Sequence, residues 1–252
     1  MQRVSVARGE KTVLHEIDLQ IGVGEHVAIL GPNGCGKSTL IKTINRECYP
    51  LLRDGSSLTL MGRENWNVFE LRSLLGIVSN DLAATCTRDF KGREIVLSGF
   101  FSSIGLWPYY EVTPEMEAKA DAILDRLRAA HLADRWLDEL SSGEVRRLVI
   151  GRALVHDPKA LLLDEPSTSL DLFAQQELRD ILRQLAREGI GIVLVTHHLS
   201  DIIPEIDRVV LLHEGKVLKD GPKEQVLTEP ILSEAFGVPV TISQRDGLYN
   251  CW

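Results

Sequence analysis

A glycine-rich segment lies between an apolar stretch and a helical pattern near the start of the chain. The apolar stretch is His26–Leu30, and residues 31–38 are Gly-Pro-Asn-Gly-Cys-Gly-Lys-Ser, which fits the pattern G-x-x-x-x-G-K-[ST]. Glycines let backbone N–H groups turn inward around phosphate oxygens, and the positive end of the following helix strengthens the attraction. The pattern predicts a strand, a phosphate-binding loop and a helix, with Lys37 on the β- and γ-phosphates and Ser38 on Mg²⁺.

Further along the chain, strand and helix patterns alternate. Residues 160–163 and 190–195 are continuous apolar stretches, which is typical of strands buried on both faces of a parallel sheet. Residues 171–188 lie between them and have leucine and isoleucine at helical spacing, with Gly189 as a plausible stop. This alternation predicts an α/β core with a mostly parallel sheet.

Two hairpins are expected beside this core. Val4 and Val6 alternate with polar residues, residues 8–11 suit a turn, and apolar residues alternate again up to Ile21, so the first 25 residues predict a small antiparallel sheet. Near the other end of the chain, Glu214 and Gly215 form a turn signal between two strand patterns.

The segment from about residue 81 to residue 144 differs from the rest, because it contains no convincing buried strand. Thr113 and Pro114 are a strong helix start, and apolar residues follow at helical spacing. We therefore predict one domain over residues 1–252, with an α/β core at 1–80 and 145–252 and a helical subdomain at about 81–144.

Composition excludes several classes of protein. The formal net charge is −8, which disfavours a protein that coats nucleic acid, and the apolar and charged contents are those of a globular chain. The apolar stretches are too short to span a bilayer, and charged residues near the N-terminus interrupt any apolar segment of the kind a secretory signal has. The four cysteines, Cys35, Cys48, Cys86 and Cys251, are scattered and do not have the spacing of a zinc site. We expect a soluble cytoplasmic protein with reduced thiols and no direct nucleic-acid partner.

An acidic pair, Asp164 and Glu165, follows the apolar stretch at 160–163. One carboxylate could lie near a metal ion and the other could polarise a water molecule, as phosphoryl transfer requires. Taken alone, such a pair is more often a helix start or a solvated strand end. Beside a phosphate-binding loop, the catalytic interpretation is favoured.

A third pattern, Ser141-Ser142-Gly143-Glu144, directly precedes an amphipathic helix. Taken alone, Ser141 or Ser142 is a simple N-cap. Together with the other two patterns, the N–H groups at this helix start form a second phosphate-binding surface. This second surface has no obvious way to reach the phosphate-binding loop of the same chain.

These segments, in this order and spacing, resemble the ATP-binding-cassette (ABC) ATPase domain over nearly the whole chain. Residues 31–39 are similar to its Walker A motif, residues 140–144 to its signature and residues 161–165 to its Walker B motif. Residues 169–171 are similar to the D-loop, and Thr196-His197 to the switch histidine. The resemblance implies a P-loop NTPase fold in which two domains meet head to tail, so that the Walker A motif of one and the signature of the other enclose each ATP.

The resemblance also implies roles for individual residues. Glu165 is the expected base that activates water, and His197 the expected γ-phosphate contact. Ser141 and the Gly143 backbone would act on the partner protomer's ATP, with Asp171 at the dimer seam. Ser38, Asp164 and Asn80 would serve Mg²⁺. The residues expected to hold the nucleotide in the same chain are Gly31, Pro32, Asn33, Gly34, Cys35, Gly36, Lys37, Ser38 and Thr39.

The chain departs from the family pattern at four positions. Arg8 lies near the position of the aromatic residue that stacks on adenine, and a guanidinium can also stack there. Asn80 replaces the Q-loop glutamine, with a shorter amide for Mg²⁺. Ser142 replaces a glycine of the signature, and Glu144 its glutamine. Nucleotide preference and coupling to a partner depend on these changes.

The leading hypothesis is the separate ATP-binding subunit of an ABC transporter, active as a homodimer and held at the membrane by a transmembrane subunit. Aromatic residues at 100–101 and 106–110 would either fill the small lobe's own core or form the docking surface. Residues 98–106 and Thr196-His197-His198 are similar to a molybdenum or metal-chelate uptake branch. The alternative, which Asn80 supports, is a non-transport ABC ATPase that acts as a mechanical or regulatory switch on a soluble partner.

Overall fold

The computed structural model describes residues 1–79, 82, 85 and 89–252. The chain forms two compact units. One unit contains Met1–Leu71 and Gly191–Trp252, and the other contains Arg72–Ile190.

In chain order the strands are β1 Val4–Arg8, β2 Lys11–Ile17, β3 His26–Leu30, β4 Leu75–Ser79, β5 Ala160–Asp164, β6 Gly191–Thr196, β7 Arg208–His213, β8 Lys216–Pro222, β9 Ile242–Arg245 and β10 Leu248–Cys251. The α-helices in the described residues are α1 Lys37–Ile44, α2 Val68–Leu74, α3 Gly92–Ser98, α4 Pro114–Arg126, α5 Ser142–Leu154, α6 Leu172–Arg187, α7 Lys223–Val226 and α8 Glu229–Phe236. Short 3-10 helices span Gly99–Phe101, Ala130–Leu132, Leu137–Glu139 and Leu199–Asp201.

The first unit is built on a sheet in the order β6-β3-β7-β8. Strands β6, β3 and β7 are parallel, and β8 returns antiparallel to β7. All of β6 is buried, and so are the last four residues of β3, because both faces of these strands are covered. The predicted mostly parallel α/β core is confirmed.

Both predicted hairpins of this unit form. Glu214 and Gly215 have φ values of +46° and +75°, which is the pair of left-handed residues that a tight two-residue turn requires. At the N-terminus β1 pairs antiparallel with β2, and Arg8 lies opposite Lys11. The second strand was expected to continue to Ile21 and ends instead at Ile17. Next to this end the Arg3 N–H donates to the Asp18 carboxylate at 2.8 Å, and Met1 and Leu19 still exchange backbone hydrogen bonds.

The second unit has a parallel strand pair, β4 with β5, and a group of helices. The end of α3 packs tightly on α5: at Gly99, which directly follows α3, a Cβ would lie 2.3 Å from the Arg152 carbonyl oxygen, so this contact tolerates only glycine. Helix α4 begins as predicted, with Pro114 at its first position and the Thr113 hydroxyl accepting the Met116 N–H. Residues 89–144 contain no strand, as the sequence indicated.

None of the helices in the described ranges combines the length and apolar character that crossing a bilayer requires.

Candidate nucleotide-binding site

The predicted phosphate-binding loop connects β3 to α1. Gly36 caps α1 with a φ of +109°, and Gly34 has a φ of +82°, a region that residues with a Cβ rarely adopt. A Cβ at Gly34 would meet no atom within 4 Å, so the loop is open on this side. Left-handed glycines followed by a helix start give the inward-facing N–H groups of an anion cradle.

Lys37 lies against this loop. Its Nζ donates to the Gly31 carbonyl at 2.8 Å and the Pro32 carbonyl at 3.1 Å, and the residue is only 4% exposed. The ammonium group therefore adds a positive charge beside the N-terminal end of α1. Ser38 is exposed in the first turn of that helix, whereas Thr39 is buried.

The β7–β8 hairpin supports the back of the loop. The Gly215 N–H donates to the Cys35 carbonyl at 2.9 Å, and the Gly215 carbonyl accepts the His15 N–H at 2.8 Å. A Cβ on Gly31 would lie 2.4 Å from the Leu212 carbonyl oxygen. The sequence indicated this hairpin but not its contact with the loop, because no local pattern marks a contact between residues about 180 positions apart.

His197 emerges beside the loop. Leu30 and Thr196 are register partners in the parallel pair of β3 and β6, so Gly31 and His197 both follow at the carboxyl edge of these neighbouring strands. Ligands of α/β sheets bind at this edge. Arg8, the predicted adenine contact, is exposed at the end of β1.

The second unit contains the acidic pair. Asp164 is the last residue of β5 and pairs with Ser79 of β4. Asn80, which follows Ser79, lies outside the described residues. Glu165 has a φ of +46°, which is uncommon for a residue with a long side chain and costs about 1–3 kcal/mol, a strain that clusters at active sites.

The signature segment forms the start of α5. Ser141 caps the helix: its Oγ accepts the Glu144 N–H at 3.3 Å and donates to Glu144 Oε2 at 2.8 Å. The Ser141 N–H bonds the same carboxylate at 2.7 Å, which completes a capping box. Burial alone would raise the pKa of Glu144, but the hydrogen bonds from Ser141 and the charges of Arg135 and His131 lower it below its ordinary value.

The signature also contacts the D-loop. Ser142 Oγ donates to the Ser169 carbonyl at 3.3 Å, and a Cβ on Gly143 would lie 2.6 Å from Ala174 Cβ. Asp171 caps α6 by accepting the Ala174 N–H at 2.8 Å. Ser142, a departure from the family pattern, therefore joins two motifs that lie far apart in the sequence. No local sequence pattern indicates this contact.

The aromatic residues of the helical segment contact one another and also face solvent. The rings of Phe101 and Tyr110 stack with centroids 4.2 Å apart, and Phe90 and Trp107 meet edge to face at 5.8 Å. Trp107 is 46% exposed and Tyr109 is 74% exposed. The sequence analysis left two roles open for these aromatic residues, packing within the lobe and docking to a partner. The rings pack against one another, and those of Trp107 and Tyr109 also remain accessible to solvent.

The two units thus divide the predicted site residues. The first contains Arg8, the phosphate-binding loop and His197, and the second contains Asp164, Glu165, the signature and the D-loop. A model of the family described as ABC transporter matches residues 14–168, more than half of the chain.

The chain belongs to the ABC transporter ATP-binding family. It is 34% identical over 247 residues to the uncharacterized ABC transporter ATP-binding protein YlmA of Bacillus subtilis (strain 168), which covers 96% of this chain and 92% of the relative. It is 34% identical over 239 residues to the hemin import ATP-binding protein HmuV of Nocardia farcinica (strain IFM 10152), covering 92% of this chain and 78% of that relative.

A solved structure agrees with this assignment. The structure of cbiO1 from Clostridium perfringens, part of the ABC transporter complex cbiONQ, has a TM-score of 0.77 and 28% identity, and covers 92% of this chain and 91% of that one. The predicted family, fold class and ATP-driven transport function are confirmed. ABC ATP-binding proteins bind ATP and act as ATPases in transport.

Proposed function

We propose that this ABC protein hydrolyses ATP to ADP and phosphate in a Mg²⁺-dependent reaction and thereby drives a transporter. The observation that carries the proposal is the loop between β3 and α1: its glycines are in left-handed conformations, its outer side is open, and Lys37 lies against it. In this proposal Lys37, Ser38, Thr39 and the backbone of residues 31–36 hold the phosphates, and Arg8 stacks on the base.

The donor groups fit Mg²⁺ chemically. Ser38 offers an exposed hydroxyl at the start of α1, Asp164 a carboxylate at the end of β5, and Asn80 an amide oxygen. Magnesium prefers hard oxygen ligands and usually retains several waters, so a few protein oxygens beside nucleotide phosphates suffice. When bound, it neutralises charge on the phosphate oxygens.

Glu165 is the proposed general base. Water attacks the γ-phosphorus, the bond to the β–γ bridging oxygen breaks with ADP leaving, and the proton of the attacking water passes to the Glu165 carboxylate. His197 holds the γ-phosphate so that the attacking and leaving oxygens stay in line. Its place beside the phosphate-binding loop, at the edge shared by β3 and β6, supports this role.

We propose that two copies of the chain meet head to tail. The Ser141 side chain and the Gly143 N–H, at the start of α5, form the proposed second anion-binding helix terminus. They would contact the γ-phosphate held by the partner protomer, with Asp171 at the seam. The Ser142 contact to Ser169 supports this arrangement because it holds the signature and the D-loop on one surface.

A transmembrane subunit is the proposed second partner, with the chain attached to the cytoplasmic side of the membrane through it. The similarity to cbiO1, a part of a transporter complex, supports this partner. The accessible rings of Trp107 and Tyr109 are the proposed docking residues, since exposed aromatic rings are enriched at interfaces. We place the cargo among metal chelates because several relatives are hemin import proteins.

The central test is the release of phosphate from ATP by the purified chain. We expect turnover with MgCl₂ and a loss of at least 100-fold in EDTA, because the phosphate charges then stay unneutralised. Ser38→Ala should raise the Mg²⁺ concentration needed for half-maximal turnover. Equal turnover in MgCl₂ and EDTA would contradict the metal dependence, and no turnover in either would contradict the ATPase assignment.

The docking surface is tested by purifying the tagged chain from its own cells and measuring how much of a multi-span membrane protein co-purifies. The double variant Trp107→Ala/Tyr109→Ala should lose most of the co-purified subunit while staying folded, with a small loss of thermal stability because the Trp107 ring contacts Phe90. Tyr49→Ala is the matched control, because Tyr49 is 66% exposed in the other unit. Unchanged co-purification of the double variant would exclude these rings as the docking surface.

A further inference from the structure

A buried hydrogen bond closes the turn that carries His197. The Thr196 hydroxyl donates to Asp201 Oδ2 at 2.6 Å, and the two residues are 0% and 5% exposed. The same hydroxyl oxygen accepts the His198 N–H at 3.0 Å. One side-chain oxygen thus joins the end of β6 to both the start and the end of the turn.

The rest of the turn has little freedom. The Asp201 N–H returns to the His198 carbonyl at 3.3 Å, and residues Leu199–Asp201 form a 3-10 helix. The ring of His198 packs against the ring of His197 with centroids 3.8 Å apart. Both neighbours of His197 are therefore held by the Thr196 hydroxyl: Thr196 through its bond to Asp201, and His198 through its own N–H.

This turn is also anchored relative to the phosphate-binding loop. Thr196 is the register partner of Leu30, which directly precedes Gly31. A shift of the turn would move His197 away from the loop while leaving the loop itself, which rests on the β7–β8 hairpin, in place. The contact at Thr196 is placed to control the position of His197 and not the binding of the phosphates.

We infer that Asp201 is a positioning residue for the ATPase reaction: through the Thr196 hydroxyl it fixes the turn that presents His197. A hydrogen bond from a hydroxyl to a carboxylate is short and strong, and in a buried place water does not replace it. Small displacements of a catalytic group lower turnover steeply. The inference rests on the proposed function, since His197 must act on the γ-phosphate for its position to matter.

Thr196→Val tests the inference, because valine has the shape of threonine without the hydroxyl. We expect kcat to fall about tenfold with the KM for ATP within about twofold, since about 1 Å of displacement at a reacting group suffices for such losses. Thr196→Ser keeps the hydroxyl and should retain most of the turnover. Asp201→Ala should match Thr196→Val, and Asp201→Asn, which keeps an acceptor oxygen, should recover part of the loss.

The outcomes separate this inference from the proposed function. If His197→Ala leaves kcat unchanged, the proposed role of His197 fails and the inference falls with it. If His197→Ala lowers kcat but Thr196→Val and Thr196→Ser behave alike, only the inference is overturned. A rise in the KM for ATP with unchanged kcat in Thr196→Val would likewise overturn it, because the turn would then serve binding.

Discussion

Glu165→Gln is expected to lower ATP turnover at least 100-fold and to leave ATP binding intact. The amide cannot accept the proton of the attacking water, whereas its size and its place after β5 are those of the carboxylate. General bases contribute about 10²–10⁴-fold to a rate, which sets the size of the loss. The rate of phosphate release at saturating ATP measures the loss of turnover, and an equilibrium nucleotide-binding measurement shows whether ATP binding is intact.

The same variant tests the composite site. Because bound ATP is no longer consumed, Glu165→Gln should accumulate as an ATP-bound dimer, which size-exclusion chromatography with ATP and Mg²⁺ would detect. Glu234→Gln, which removes an exposed acid elsewhere, is the control and should behave as the wild type. A variant that stays strictly monomeric with ATP would contradict the head-to-tail arrangement, and undiminished turnover would exclude Glu165 as the base.

Gly31→Ala is expected to reduce both the stability of the protein and its affinity for ATP. The added Cβ would lie 2.4 Å from the Leu212 carbonyl oxygen, and that oxygen belongs to β7, which is paired on both sides and has little room to move. Overpacking of this kind costs about 1–3 kcal/mol. Displacement of the loop should weaken ATP binding at least tenfold. Denaturant unfolding without nucleotide and equilibrium ATP binding measure the two effects.

Gly34→Ala is the matched control for the unfolding measurement. Its Cβ would meet no atom within 4 Å, so the variant bears only the strain of a φ of +82°, about 1–2 kcal/mol for a residue with a Cβ. A contact of 2.4 Å with a backbone oxygen of a paired strand is severe, so Gly31→Ala should lie at the upper end of its range and be less stable than Gly34→Ala. Equal free energies of unfolding, or a wild-type affinity for ATP in Gly31→Ala, would contradict the view that the β7–β8 hairpin holds the loop in place.

Local patterns predicted the elements well. Thr113 with Pro114 marked the start of α4, and Glu214 with Gly215 marked the turn between β7 and β8, because capping and left-handed turn residues act on their own immediate backbone. The helix predicted over residues 171–188 is Leu172–Arg187 with Asp171 as its cap. Strand β2 ends at Ile17, short of the predicted Ile21; the Asp18 carboxylate accepts the Arg3 N–H, and Met1 and Leu19 exchange backbone hydrogen bonds beyond it.

Neighbouring residues alone specify three chemical features of this protein: a phosphate-binding loop, an acidic pair after a strand and a helix start with N–H donors. The contacts that support these features depend on the tertiary fold. Gly215 bonds Cys35, Ser142 bonds Ser169, and Asp201 bonds Thr196. The first two contacts join residues far apart in the chain, and the third is a buried contact between the end of β6 and the turn that follows it. Local spacing encodes the conformation of a segment, but the partner of a buried polar group is set by which segments pack together.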